Sequence, residues 1–244
     1  MALFRSGNPA LSDTTFNGLP RVAGEGMTVQ GTVNKTGFGL LAVLAGGAVT
    51  WNMENPAILM ILGLIGGLVL GLTTSFKKEW APFTTLPYAL LEGLMLGGIS
   101  RMYEVRTQGI VVLAVGLTLG VLCALLLAYT SRLIHVTENF RLVVVAATGG
   151  IALFYLVSIG LSFFHIRIPY IHESGPIGII FSLVVVGIAS MNLVLDFDFI
   201  ERGAAVGAPK YMEWYGAFGL LVTLVWLYLE LLRLLSKIMG KGRR

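Results

Sequence analysis

Seven runs of about twenty predominantly apolar residues, separated by short loops, leave this chain few folds to choose from. They lie near 37–53, 56–75, 82–102, 108–130, 142–165, 176–197 and 212–236. Each is long enough to cross a hydrocarbon core of about 30 Å as a helix. In lipid the backbone must satisfy its own hydrogen bonds, which selects helices or closed barrels. The runs are too long and too continuous for barrel strands. Only 12% of the 244 residues are charged, against roughly 25% in a soluble domain. The chain therefore reads as an all-α membrane protein of seven transmembrane helices, with neighbours antiparallel.

One membrane domain, residues 36–237, accounts for nearly all of it. Residues 1–35 read as a polar, loosely ordered leader without the apolar core of a signal peptide. Residues 238–244 form a basic tail. The net charge of +4 sits at helix ends and in that tail, where the headgroups of a lipid bilayer are the expected partners and nucleic acid is not. The single Cys123 and the loop histidines His135, His165 and His172 make no metal box, and no cofactor is expected.

Lysine and arginine set the orientation. Arg5, Arg21, Lys35, Lys77, Lys78, Arg132, Arg141, Arg202 and Lys210 fall on the side shared by the N-terminus, and only Arg101, Arg106 and Arg167 in the opposite loops. This predicts a multi-pass inner-membrane protein with a cytoplasmic N-terminus. Seven crossings then put the basic C-terminus outside, against the rule, unless the last segment is re-entrant. A full crossing is expected from its length.

Acids inside such spans carry the functional signal. A carboxyl near mid-membrane costs at least ~2.5 kcal/mol and normally faces a bundle interior or a cavity. Glu92 lies in the third run, with Tyr88 and Ser100 on its face. Asp196 and Asp198 end the sixth run but point about 200° apart. Asn192 shares the face of Asp196, and Glu201 lies near that of Asp198. Glu213 opens the seventh run and is expected to come near Asp196. Two carboxyls in a poorly hydrated site titrate as a unit, which is a basis for pH gating of a cation path. Glu213 is equally read as a helix-start charge suited to the dipole, and Glu92 as hydrogen-bonded helix glue. Glu92 with Asp196 would make a lean metal site, since calcium takes six to eight oxygens. Glu230 and Arg233 read as an interfacial ion pair. Glycines four apart, as in Gly63–Gly67–Gly71, Gly93–Gly97 and Gly116–Gly120, predict close helix packing or a dimer face. No nucleophile–base constellation, zinc motif or phosphate loop appears, so no enzyme is expected.

The segments NLVLDFDFIERG, PKYMEWYGAFGLLVTLVWLYLELLRLL and YALLEGLMLGGIS, with the leader NPAL, resemble the Bax inhibitor-1 (transmembrane Bax inhibitor motif) superfamily, in its bacterial branch. The resemblance spans essentially the whole chain. It implies six helices around a central seventh, pH-dependent calcium leak, a role in stress response, and in some members association with a membrane protease. It further implies a pH-sensing aspartate pair and an arginine latch after span 2. Asp196 matches the first aspartate. Thr223 stands near the place of the second, and Lys77 or Lys78 near that of the latch. The expected function is a pH-sensitive calcium leak channel, with calcium as transported ion. The alternative is a non-conducting regulator that binds a membrane protease.

Overall fold

The computed structural model describes residues 26–164 and 175–240. The expected leader up to residue 25, His165, Arg167, His172 and the tail beyond 240 lie outside the described residues. Among the described residues seven α-helices follow one another: α1 Val29–Trp51, α2 Ala57–Phe76, α3 Ala81–Arg106, α4 Ile110–Thr130, α5 Glu138–Phe163, α6 Pro176–Ala205 and α7 Met212–Met239. A single 3-10 turn, Lys78–Trp80, joins α2 to α3. Among the described residues there is no β-strand, only one isolated bridge between Gly26 and Pro209. All helices but α3 are long and apolar enough to cross a membrane by composition. The chain is an all-α membrane protein.

Local chemistry sets the ends. Thr28 caps α1, its hydroxyl accepting from Gly31 N–H at 2.9 Å. Thr137 caps α5 in the same way. Pro176 opens α6, where a missing N–H costs nothing. Gly207 takes φ 67° in the turn to α7, a left-handed conformation open to glycine. The first helix begins at Val29, inside the segment expected to be a loose leader. Its extra turns are polar, with Gln30 and Asn34 hydrogen-bonded across one turn, so an apolar count misses them. They are fixed by tertiary contacts: Met27 N–H donates to Ala208 O at 2.6 Å, and Met27 is buried.

Every helix runs the height of the bundle. Gly31 meets Glu213 and Gly39 meets Leu221, so α1 and α7 are parallel. Val43 meets Gly93 and Gly47 meets Gly97, so α1 and α3 are parallel too. Gly63 meets Leu91 while Gly71 meets Tyr88, so α2 runs opposite to α3. Lys237 meets Ser182 while Gly216 meets Ile200, so α6 and α7 are antiparallel. The α7 helix has 28 residues, about 42 Å of continuous helix. That is long and apolar enough for a full crossing, and Met239 lies at the opposite end of the bundle from Val29. These two ends are called the first (Val29, Met212) and the second (Trp51, Met239).

The centre is α7. It packs against α1, α3, α4 and α6 and is the most buried of the apolar helices. Tyr215, Phe218, Leu221 and Leu227 are almost wholly enclosed. Where side chains give no room, backbones touch. A Cβ at Gly93 would lie 2.2 Å from Val43 O, one at Gly97 2.2 Å from Gly47 O, and one at Gly63 2.5 Å from Leu91 O. These glycines let α1 and α2 press on α3, where dispersion drives association in lipid. Gly116 and Gly120 on α4 meet nothing within 4 Å.

Candidate functional site

In the C-terminal half of α6, toward the first end of the bundle, Asp196 is completely buried, and Asn192 one turn earlier is 2% exposed. Asn192 Nδ2 donates to Thr148 Oγ1 at 2.8 Å and to Ile188 O at 2.9 Å. Its Oδ1 is buried and has no hydrogen-bond partner. Asp198 points away from Asp196, as two residues' separation on a helix requires. Arg141 Nη2 of α5 reaches Asp198 Oδ2 at 2.8 Å, and Arg202 Nη2 reaches the same oxygen at 2.8 Å. Arg141 is itself buried. Glu201 lies at the water boundary, bonded to the Tyr129 hydroxyl and to Arg132 Nη2 at 2.5 Å.

Glu213 does not join Asp196. The antiparallel register of α6 and α7 sets Glu213 level with about residue 203, roughly 10 Å along the axis from Asp196. Asp196 is instead level with Leu220–Thr223. Glu213 is wholly buried in a knot of donors. Thr28 gives its N–H at 2.9 Å and its hydroxyl at 2.7 Å to Oε1, Lys210 Nζ reaches Oε1 at 2.9 Å, and Lys35 Nζ donates to Oε2. The geometry therefore gives Glu213 the job of fastening the start of α1 to the start of α7.

The expected polar stripe of α3 divides. Tyr88 stacks edge-on against Phe218 of α7, ring centres 4.9 Å apart. Ser100 shares a 2.6 Å hydrogen bond with Tyr228 of α7. Glu92 instead faces α2: a Cβ at Gly67 would lie 2.9 Å from its Oε1. Its Oε2 is buried without a hydrogen-bond partner, and Tyr88 is the hydroxyl that acts on its carboxyl. Glu92 and Asp196 thus occupy separate interfaces and form no common metal site. Among the described residues no three His, Cys, Asp or Glu side chains are grouped to hold a metal.

Lys77 and Lys78 stand at the first end. Lys77 Nζ lies over the Trp80 ring, 4.3 Å from its centre. Lys78 is half-buried, and that burial lowers its pKa from the ordinary lysine value. His135 is exposed. A cleft of about 450 Å³ opens between α1, α3, α4 and α7. Its walls are apolar apart from Asn52, Thr118 and the Ser100–Tyr228 pair, and none of the acids lines it.

Sequence reasoning missed Arg141 and Lys35 as partners of the two first-end acids. It also missed that Glu230 is buried. Arg233 Nη1 does pair with Glu230 Oε1 at 2.8 Å, but Tyr155 of α5 donates to the same oxygen at 2.8 Å, deep against α7. The signal was present in α5: Arg141, Thr148 and Tyr155 recur every seven residues, and the residues between them are apolar or glycine.

The model of a family described as Bax inhibitor 1 like matches residues 8–240. No curated protein matches the chain.

Proposed function

The chain belongs to the Bax inhibitor 1 like family, and on that footing we propose that it is a cation leak pathway of the inner membrane, governed by protonation of Asp196. The observation that carries the reading is Asp196, wholly buried in a membrane helix, one turn from an Asn192 oxygen that no donor satisfies. An intramembrane carboxyl is a functional site by default, because the bilayer penalises it unless a proton or a cation offsets the lost water. Carboxylate and amide oxygens are the ligands calcium takes. Asn192 and Asp198 of α6 supply further oxygens near Asp196, at separate stations and not in one cage, while Glu92 lies apart at the α2–α3 interface. A series of lean stations suits passage better than storage. The excess of Lys and Arg around the first end favours a cytoplasmic N-terminus. No catalytic role is assigned.

Reconstitution of the full chain into liposomes loaded with a calcium-sensitive dye tests this. Wild type passes calcium with a rate that depends on pH, and Asp196→Asn flattens that dependence. Indifference of the flux to both Asp196→Asn and Glu92→Gln overturns the reading, and leaves the alternative of a non-conducting regulator that holds a membrane-protein partner such as a protease.

A further inference from the structure

The polar residues of α5 do not stand alone. Arg141, Thr148 and Tyr155 lie seven apart, so successive members drift only about 20° around the helix and form one stripe. The remaining faces of α5 carry Leu142, Val143, Leu153 and Leu156, all exposed toward lipid. Each stripe residue meets a polar partner across the interface. Arg141 Nη2 donates to Asp198 Oδ2 at 2.8 Å, Thr148 Oγ1 accepts from Asn192 Nδ2 at 2.8 Å, and Tyr155 OH donates to Glu230 Oε1 at 2.8 Å. On α7, Thr223, Glu230 and Lys237 are again seven apart and all buried, and Glu230 is the one that meets the α5 stripe, at Tyr155. Lys237 Nζ donates to Ser182 Oγ at 2.8 Å and Gly178 O at 3.0 Å of α6. Polar groups therefore follow one another along the seam of α5, α6 and α7, from Asp198 at the first end to Lys237 at the second. In the α6–α7 register, Asp196 and Glu230 lie roughly 12 Å apart along the axis, with Asn192 between them.

Two facts make this more than helix glue. First, Asn192, 2% exposed, keeps an oxygen with no donor inside the seam. An interface built only to hold helices together satisfies such a group, since a buried unpaired acceptor costs about 1–3 kcal/mol. Second, α5 packs principally against α6, so it is the least enclosed side of the bundle around these groups.

We propose that the seam between α5 and the α6–α7 pair is the cation's route, with Glu230 the ligand at its second end and the α5 stripe the wall that closes it. This rests on the conduction reading above and adds its path. With α5 displaced, α6 and α7 present the oxygens of Asp198, Asn192 and Glu230 along the seam, which fits a hard cation, and Asp196 stands one turn from Asn192 on α6. Arg233 and Lys237 lie at the second end as fixed countercharges that an arriving cation must displace. That limits the route to a slow leak.

The test combines calcium flux with solvent access in proteoliposomes of the full chain. Glu230→Gln and Thr148→Val are expected to change the leak several-fold, while Ser100→Ala, on the opposite side of α7, leaves it unchanged. If both seam variants leak as wild type does while Asp196→Asn still alters the flux, the seam is not the route and the conduction reading stands. A wild type that passes no calcium overturns both. Because Glu230→Gln risks misfolding, a second measurement uses Thr148→Cys and Leu153→Cys in a Cys123→Ala background. A water-soluble, membrane-impermeant thiol reagent is expected to modify Cys at 148 and not at the lipid-facing 153. Protection at 148 in protein that leaks overturns the proposal.

Discussion

Gly31 and Glu213 are in direct contact: a Cβ on Gly31 would fall 2.1 Å from the Glu213 Oε1 atom. The glycine lets the first turn of α1 close over a carboxylate buried at the start of α7. That carboxylate receives the N–H and hydroxyl of Thr28, the residue that caps the same turn. Cap, glycine and acid form one fastening between helices 178 residues and more apart in the chain.

Gly31→Ala should therefore destabilise. The neighbour is not the free end of a flexible side chain, since Thr28, Lys35 and Lys210 hold it. Overpacking of this kind costs about 1–3 kcal/mol, read as a lowered thermal midpoint in detergent. Gly37→Ala, on the same helix with nothing within 4 Å, should be neutral or slightly stabilising.

Glu213 and Asp196 should separate by readout. Glu213→Gln keeps the shape of the knot but removes the charge facing two ammonium groups. Hydrogen bonds to charged groups are worth about 1.5–3 kcal/mol, discounted here because Lys210 is more than half exposed. Thermal stability should fall, and the pH profile of calcium flux should keep its shape. Asp196→Asn should do the reverse. If Glu213→Gln shifts the pH profile and leaves stability alone, the fastening role is wrong.

The fold was legible because hydrophobic runs of spanning length admit one solution in lipid. Span borders came within a few residues wherever the helix was apolar to its end, as in α2 and α4. They failed where polar turns extend the helix: Val29–Thr36 before the first run, and the last turns of α6 through Ala205. There a cap or a tertiary contact, not hydropathy, decides the end. Asp196, Asn192 and Glu92 stood out because charge and amide groups are costly in a bilayer. Their partners did not, because pairing depends on which helix stands opposite. The rule that places Glu213 close to Asp196 in sequence says nothing about the two helical turns between them. Arg141 looked like a loop charge marking orientation, although it is 5% exposed and bonded to Asp198.

Glycine spacing was read correctly as a packing signal, but spacing does not say which pairs are used. Gly97→Ala should destabilise by about 1–3 kcal/mol. Its Cβ would sit 2.2 Å from the Gly47 carbonyl oxygen and 2.7 Å from Gly47 Cα, and backbone cannot step aside without parting α1 from α3. Gly120→Ala has the same spacing motif and open space around it. It should gain up to about 1 kcal/mol from helix propensity alone. Equal effects at the two positions, measured by thermal unfolding, would contradict the arrangement of α1 on α3.

Two arginines at the first end offer a last contrast, since both bind acids of α6 and only one is enclosed. Arg132 pairs with Glu201 where its side chain is 65% exposed, and such surface pairs contribute about 0–1 kcal/mol. Arg132→Met should therefore change stability little, and what it changes should fade at high salt. Arg141 is buried between α5 and α6, and its bond to Asp198 is a principal tie between them. Arg141→Met keeps the apolar stem and loses the charged hydrogen bond, at a cost of about 1.5–3 kcal/mol. Arg202 still reaches Asp198, so the acid is not stranded, and the loss falls on the attachment of α5. Limited proteolysis of the two variants reads this directly. Faster cleavage around α5 in Arg141→Met than in Arg132→Met, with α1–α3 protected equally, is the expected result, and equal protection of α5 in both would show that the Arg141–Asp198 bond does not hold that helix.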